Sequence, residues 1–256
     1  MTMTRLMILI AALCSLASPY AHAAEANTEQ RAPVTILISI DGFRADYLDR
    51  GITPNLSKLA AEGARGALRP SFPTKTFPNH YAIVTGKRPD TNGIVGNNMI
   101  DPRRPAERFS LGNAKQALDP FWWDEAEPAW VTAQKAGVRT ATMFWPGSEV
   151  AIHEVRPADW LRYNENISNV QRVNAVLDWL RRPRAIRPAF VTLYFDAVDT
   201  AGHHFGPDSA ELNAAVTEVD ARIGDLLSGL KDLDQPVRLL VVADHGMHAI
   251  SDARIV

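Results

Sequence analysis

The sequence has little sulfur: one Cys in 256 residues, at position 14. A disulfide framework needs pairs and a thiolate metal centre needs several sulfurs, so both are excluded. Charge excess is missing too, with 27 Lys and Arg against 29 Asp and Glu and a formal net charge of −2. Nothing in that balance favours a nucleic-acid polymer as a surface partner, which would call for a strongly basic face. Long apolar runs are absent. The longest, residues 6–17, has 12 residues, short of the roughly 18 that a bilayer span needs. What remains is 46% hydrophobic and 22% charged. That is too apolar for a disordered polymer and long enough for one large domain with a full core.

The first 23 residues read as a secretory signal peptide. Arg5 precedes the apolar run, Ser18-Pro19 breaks it, and Ala21-His22-Ala23 supplies a small-residue cleavage site. Cleavage there would remove Cys14 with the leader. The expectation is a secreted protein, periplasmic in a Gram-negative source, with no transmembrane segment in the mature chain. Residues 24–33 are polar and expected to form a flexible arm. Residues 34–256 are expected to be the catalytic domain.

Within that domain, strands alternate with helices. Residues 34–40 (VTILISI) are a β-branched run of the kind buried on both sheet faces. Thr53-Pro54 starts a helix with Pro at its first position and Leu56, Leu59 and Ala60 as its apolar stripe. A second helix is expected from Thr76 to Thr85, stopped by Gly86. Residues 139–145, 189–196 and 237–243 read as further strands. Val170, Val173, Leu177 and Leu180 mark a helix that stops before Pro183. Asp208 and Glu211 read as a capping pair ahead of a long helix with Leu212, Val216, Val219, Ile223, Leu226 and Leu230 on one side. Residues 93–127 are expected to be irregular. The alternation predicts an α/β fold, a doubly wound, mainly parallel sheet with helices on both faces.

Ligands of such sheets sit beyond the carboxyl ends of the strands. Here three strand ends carry acids: Asp41-Gly42, Asp196 with Asp199 shortly after, and Asp244-His245-Gly246. Asp199 and His203 are related i to i+4, read as a Gly-rich loop. Carboxylate and imidazole together suit Zn²⁺, which takes oxygen and nitrogen donors. Lys75-Thr76-Phe77 stands at a helix start, where free N–H groups favour anions. Each cluster alone could be a turn former or a cap; their recurrence at one end of the sheet points to a site.

The segments ISIDGFRADYL, TPNLSKLAAEG, PSFPTKTFPNHYAIVTG, NGIVGNNMIDP, MFWPGSEV, DTAGHHFGP and VVADHGM follow one another along nearly all of the mature chain. In order and content they resemble the nucleotide pyrophosphatase/phosphodiesterases of the alkaline phosphatase superfamily. The resemblance implies zinc-dependent hydrolysis of nucleotide diester or pyrophosphate bonds to nucleoside 5′-monophosphates. It makes Thr76 the nucleophile, passing through a phospho-threonine, and Asn97 the holder of a phosphate oxygen. It assigns Asp41, Thr76, Asp244 and His245 to one Zn²⁺ and Asp199 with His203 to the other. Phe77 and Tyr163 match an aromatic pair that stacks a nucleobase, with Trp145 and Tyr194 lining the same pocket. A choline-headgroup or lysophospholipid phosphodiesterase is the alternative substrate class. The family carries one more zinc-ligating His downstream of the Asp-His-Gly motif. No His here matches it, so the expectation is a C-terminally truncated domain with an incomplete Asp199/His203 site. That opens a third reading, a catalytically impaired metal-binding fragment.

Overall fold

The computed structural model describes residues 31–251. The signal-peptide reading falls outside the described residues. Among the described residues, no helix is long and apolar enough to cross a membrane.

The strands are β1 (Val34–Ile40), β2 (Asn98–Met99), β3 (Phe109–Ser110), β4 (Thr140–Met143), β5 (Asp159–Trp160), β6 (Phe190–Phe195) and β7 (Val237–Val242). The helices are α1 (Pro54–Glu62), α2 (Thr76–Thr85), α3 (Pro89–Asn92), α4 (Ala114–Ala117), α5 (Ala129–Lys135), α6 (Asn169–Arg181), α7 (Ala197–Phe205) and α8 (Ala210–Asp232). Five strands form a sheet in the order β5-β4-β6-β1-β7, and every pairing in it is parallel. The expected α/β fold is therefore present.

The side-chain alternation of β1 explains both faces. Ile36, Ile38 and Ile40 enter a core shared with Val173, Val176 and Leu180 of α6 and Val216, Val219 and Ile223 of α8. Leu37 points the other way, into a cluster with Tyr81 and Val84 of α2 and Trp130 of α5. A strand buried on both faces must be apolar at consecutive positions, as Ile36, Leu37 and Ile38 are. β5 and β7 are the edge strands of this sheet, and Leu240 and Val241 on β7 are exposed.

Several boundaries moved. α6 opens at Ser168, whose side chain accepts from the Gln171 N–H while Gln171 answers in a capping box. Its buried stripe includes Val176 and Trp179, while Val170 is exposed. The cap of α8 is Ser209, which accepts from the Leu212 N–H at 3.1 Å. Asp208 instead accepts from Arg44 at 3.0 Å and Arg50 at 2.8 Å, so the expected Asp208–Glu211 pair does not form. β4 stops at Met143 because Phe144 turns out of the sheet at φ 60°. Residues 93–127 hold more order than expected: the antiparallel β2–β3 pair, α4, and Trp122 and Trp123 packed on Phe109.

Candidate active site

The register brings three strand ends level. Ile40 of β1 lies beside Phe195 of β6, and Ser39 beside Val242 of β7. Asp41, Asp196 and Asp244 therefore leave the sheet along one rim. Asp199 and His203 do not sit in a loop, as expected, but on α7, which begins directly after Asp196. The i to i+4 spacing puts both on one helical face, with His203 Nε2 3.4 Å from Asp199 Oδ1.

Gly42 fits the rim together. It has φ 69°, a conformation that suits glycine. A Cβ there would stand 3.0 Å from the Asp199 Cα and 3.1 Å from its Oδ1. Its N–H donates to Asp244 Oδ1 at 3.1 Å. One residue thus lets the ends of β1, β6 and β7 approach.

Asp41, Asp244 and His245 place one donor atom each within 4.8 Å of one another. His245 Nε2 is 3.5 Å from Asp41 Oδ1 and 3.2 Å from Asp244 Oδ2. Its Nδ1 lies 2.9 Å from the Gly246 carbonyl, which can only accept, so Nδ1 carries the proton. Nε2 is the ring atom turned toward the carboxylates, the one through which His245 would ligate a metal.

The carboxylates are braced, yet each keeps one oxygen back. Tyr194 donates to Asp41 Oδ2 at 2.6 Å. Asp41 Oδ1, Asp244 Oδ2 and Asp199 Oδ1 are buried and accept no hydrogen bond. Three orphaned carboxylate oxygens in one buried region are costly unless a cation meets them. Burial pushes the Asp41 carboxyl well above its ordinary value, and the charges of Asp244 and Asp199 push it further. Burial raises Asp199 as well, against the pull of His203 and His245. Burial would also raise Asp244, but the imidazoles of His80 and His245 and the Gly42 N–H outweigh it and hold that carboxyl below its ordinary value. The residues present therefore fit a divalent metal bound by oxygen and nitrogen.

His80 matches no ligand position in the sequence, where it reads as a histidine behind the site or on the surface; the structure places it behind the site. It is fully buried, with Nε2 2.8 Å from Ser39 Oγ and Nδ1 2.8 Å from the Thr76 carbonyl and 3.3 Å from Asp244 Oδ2. It joins the first turn of α2 to the acid after β7. Its i to i+4 relation to Thr76 was the available signal.

Thr76 is the first residue of α2. It shares a cavity of about 480 Å³ with Asp41, Asn97, Asp199, His203, Phe77 and Tyr163. Asn97 Oδ1 accepts from the Phe77 N–H at 2.9 Å, which leaves the two amide N–H donors of Asn97 uncommitted to that bond. Phe77 rests edge-on against Phe109. Trp145 and Tyr194 also line the cavity, but their polar groups are spent beneath the rim. The Trp145 indole donates to the His80 carbonyl at 3.1 Å, and Tyr194 serves Asp41. Trp145 is a core residue with one side on the cavity.

Residues 35–256 match the type I phosphodiesterase / nucleotide pyrophosphatase family, and the chain belongs to it. It is 46% identical over 224 residues to an uncharacterized pyrophosphatase/phosphodiesterase of Schizosaccharomyces pombe, covering 86% of this chain and 46% of that protein. It is 41% identical to a bis(5′-adenosyl)-triphosphatase of Xenopus laevis, covering 91% of this chain and 51% of that one. An inactive variant of murine ectonucleotide pyrophosphatase/phosphodiesterase 5, in complex with AMP, shares its fold with a TM-score of 0.78 and 35% identity. That likeness covers 86% of this chain and 59% of the murine chain. The chain thus spans about half the length of these three relatives.

Proposed function

We propose that this chain carries the centre of a zinc-dependent phosphodiesterase/pyrophosphatase that releases nucleoside 5′-monophosphates. The observation that carries the reading is one cavity lined by Thr76, the Asp41 and Asp199 carboxylates, each with an oxygen that accepts no hydrogen bond, and the aromatic residues Phe77 and Tyr163. The AMP in the murine relative and the dinucleoside substrate in the name of the Xenopus laevis relative support a nucleotide substrate.

Asp41, Thr76, Asp244 and His245 would hold one Zn²⁺, and Asp199 with His203 a second. Bound there, the ions would supply Lewis-acid charge to an otherwise weakly nucleophilic hydroxyl and to the leaving oxygen. Thr76 Oγ forms a bond to phosphorus as the far ester or anhydride bond breaks. Water then attacks the phospho-threonine, releases the nucleoside 5′-monophosphate and restores the hydroxyl. The Asn97 amide donates to a phosphate oxygen throughout. A neutral donor suits the single negative charge of a diester better than the dianion of a monoester. Phe77 and Tyr163 stack the base, and export places the enzyme outside the cytosol.

A choline headgroup fits less well. A quaternary ammonium needs aromatic faces with uncompensated acid nearby. The two other acids that line the cavity already have cations: Asp196 lies 2.7 Å from Arg172, and Glu149 lies 3.9 Å from Arg162.

Hydrolysis of para-nitrophenyl thymidine 5′-monophosphate, compared with para-nitrophenyl phosphorylcholine, tests the reading in excess zinc. The nucleotide ester is expected to turn over faster. Thr76→Ala is expected to lower turnover by at least about a thousandfold. Unchanged turnover in that variant would remove Thr76 from its role. No turnover by the unaltered chain in saturating zinc would favour the metal-binding fragment instead.

A further inference from the structure

We propose that Arg172 and Asp196 are positioning residues that fix the ring of Tyr163, and so set how tightly the site holds the aromatic part of a substrate. The proposal deepens the nucleotide reading above and rests on it.

Tyr163 needs a hold from elsewhere. It lies in a stretch without helix or strand and is exposed, so its ring has no regular element to orient it. Besides an edge-on contact with Tyr194 and a backbone hydrogen bond to Glu149, two contacts supply one. Its hydroxyl donates to Asp196 Oδ2 at 2.5 Å, and its ring meets Phe144 edge-on with centroids 5.1 Å apart. Both contacts lead to the same buried guanidinium. Arg172 donates to Asp196 Oδ1 at 2.7 Å and lies 5.0 Å from the centroid of the Phe144 ring. The guanidinium is itself fixed by the carbonyls of Ile167 at 3.0 Å and Tyr194 at 3.1 Å.

Arg172 is only 2% exposed. Burying a cation in a helix stripe that apolar residues could fill costs stability. The return is geometric: a planar fork with fixed donor directions can align Asp196 and Phe144 together. Phe144 adds a second cost, since a non-glycine residue at φ 60° is strained. Two expenses meet at one aromatic wall of the cavity. A ring held in place before binding loses less freedom when a base stacks on it. Burial and the Asp196 hydrogen bond both push the Tyr163 phenol well above its ordinary value, which accords with a hydroxyl committed to that carboxylate.

The test uses Asp196→Asn, Tyr163→Phe and the double variant, with AMP and inorganic phosphate as probes in zinc, read by calorimetry. Arg172→Lys is a fourth variant that keeps the charge and loses the fork. Asp196→Asn and Arg172→Lys are each expected to weaken AMP about fivefold, the equivalent of one hydrogen bond, and leave phosphate unchanged. In the Tyr163→Phe background, Asp196→Asn is expected to add nothing further. Equal loss for AMP and phosphate, or an undiminished effect in that background, overturns the proposal. If the unaltered chain binds AMP no better than phosphate, the nucleotide reading fails. The positioning claim then stands or falls on the alkaline titration of Tyr163, identified by its loss in Tyr163→Phe. Asp196→Asn is expected to bring that ionisation down; an unmoved titration overturns it.

Discussion

The two candidate metal positions are built differently. Asp41, Asp244 and His245 come from the ends of two adjacent strands, and all three are held from behind, by Tyr194, by Gly42 and by the Gly246 carbonyl. Asp199 and His203 come from a single helix, and the His203 side chain is 67% exposed. A braced, buried set of three donors has already met the cost of ordering before an ion arrives. A pair with one exposed imidazole has not. The contrast predicts one tight zinc and one weak zinc per chain.

The largest expected effect breaks the tight position. Asp244→Ala should weaken its zinc by at least about 100-fold, whereas His203→Ala should leave it within about threefold and remove only the weaker event. Chelator competition with counted zinc per chain reads both. Two ions held equally tightly, or equal losses in the two variants, would erase the distinction.

Next comes the joint between the two positions. Gly42→Ala forces a Cβ against Asp199 at a positive φ and should cost about 2 kcal/mol of stability. It should also disturb both zinc events, because Gly42 touches Asp199 and Asp244. A denaturation midpoint unchanged from the parent would show that the rim is looser than drawn.

The smallest effect sharpens the electrostatics. Asp41 holds its proton more tightly in the folded chain than in the unfolded one. Metal-free stability should therefore fall as pH rises from the ordinary carboxylate value towards the raised one, then level off. Asp41→Asn removes that slope and should stabilise the metal-free chain at neutral pH by about 1 kcal/mol. Thermal melts across pH, with and without chelator, check both halves. A variant less stable than its parent without metal would show that Asp41 is not strained by its neighbours.

Much of this was legible in the sequence. Residues 34–40 and the long stripe of α8 carry their periods openly, and acids after strand ends stand where parallel sheets place ligands. Gly202 and Gly206 made the segment after β6 read as a loop, but helix packing won: Gly202 is buried, and a Cβ there would meet Met247 at 2.9 Å. Other parts depend on partners that no local signal names. His80 works through Ser39, 41 residues away, and Arg172 through Asp196, 24 residues away. Neither partnership belongs to a helical or strand period, so only the folded register reveals it.

The edge position of β7 has a dynamic consequence. An outermost strand, with exposed Leu240 and Val241, is where a parallel sheet opens first. Asp244 and His245 follow that strand directly, while Asp41 follows its inner neighbour β1. A cation shared among the three would tie the edge to the sheet, so occupancy and local opening become one linked equilibrium. Amide exchange along β7 would then report metal loading, while β6, buried between β4 and β1, would hardly register it.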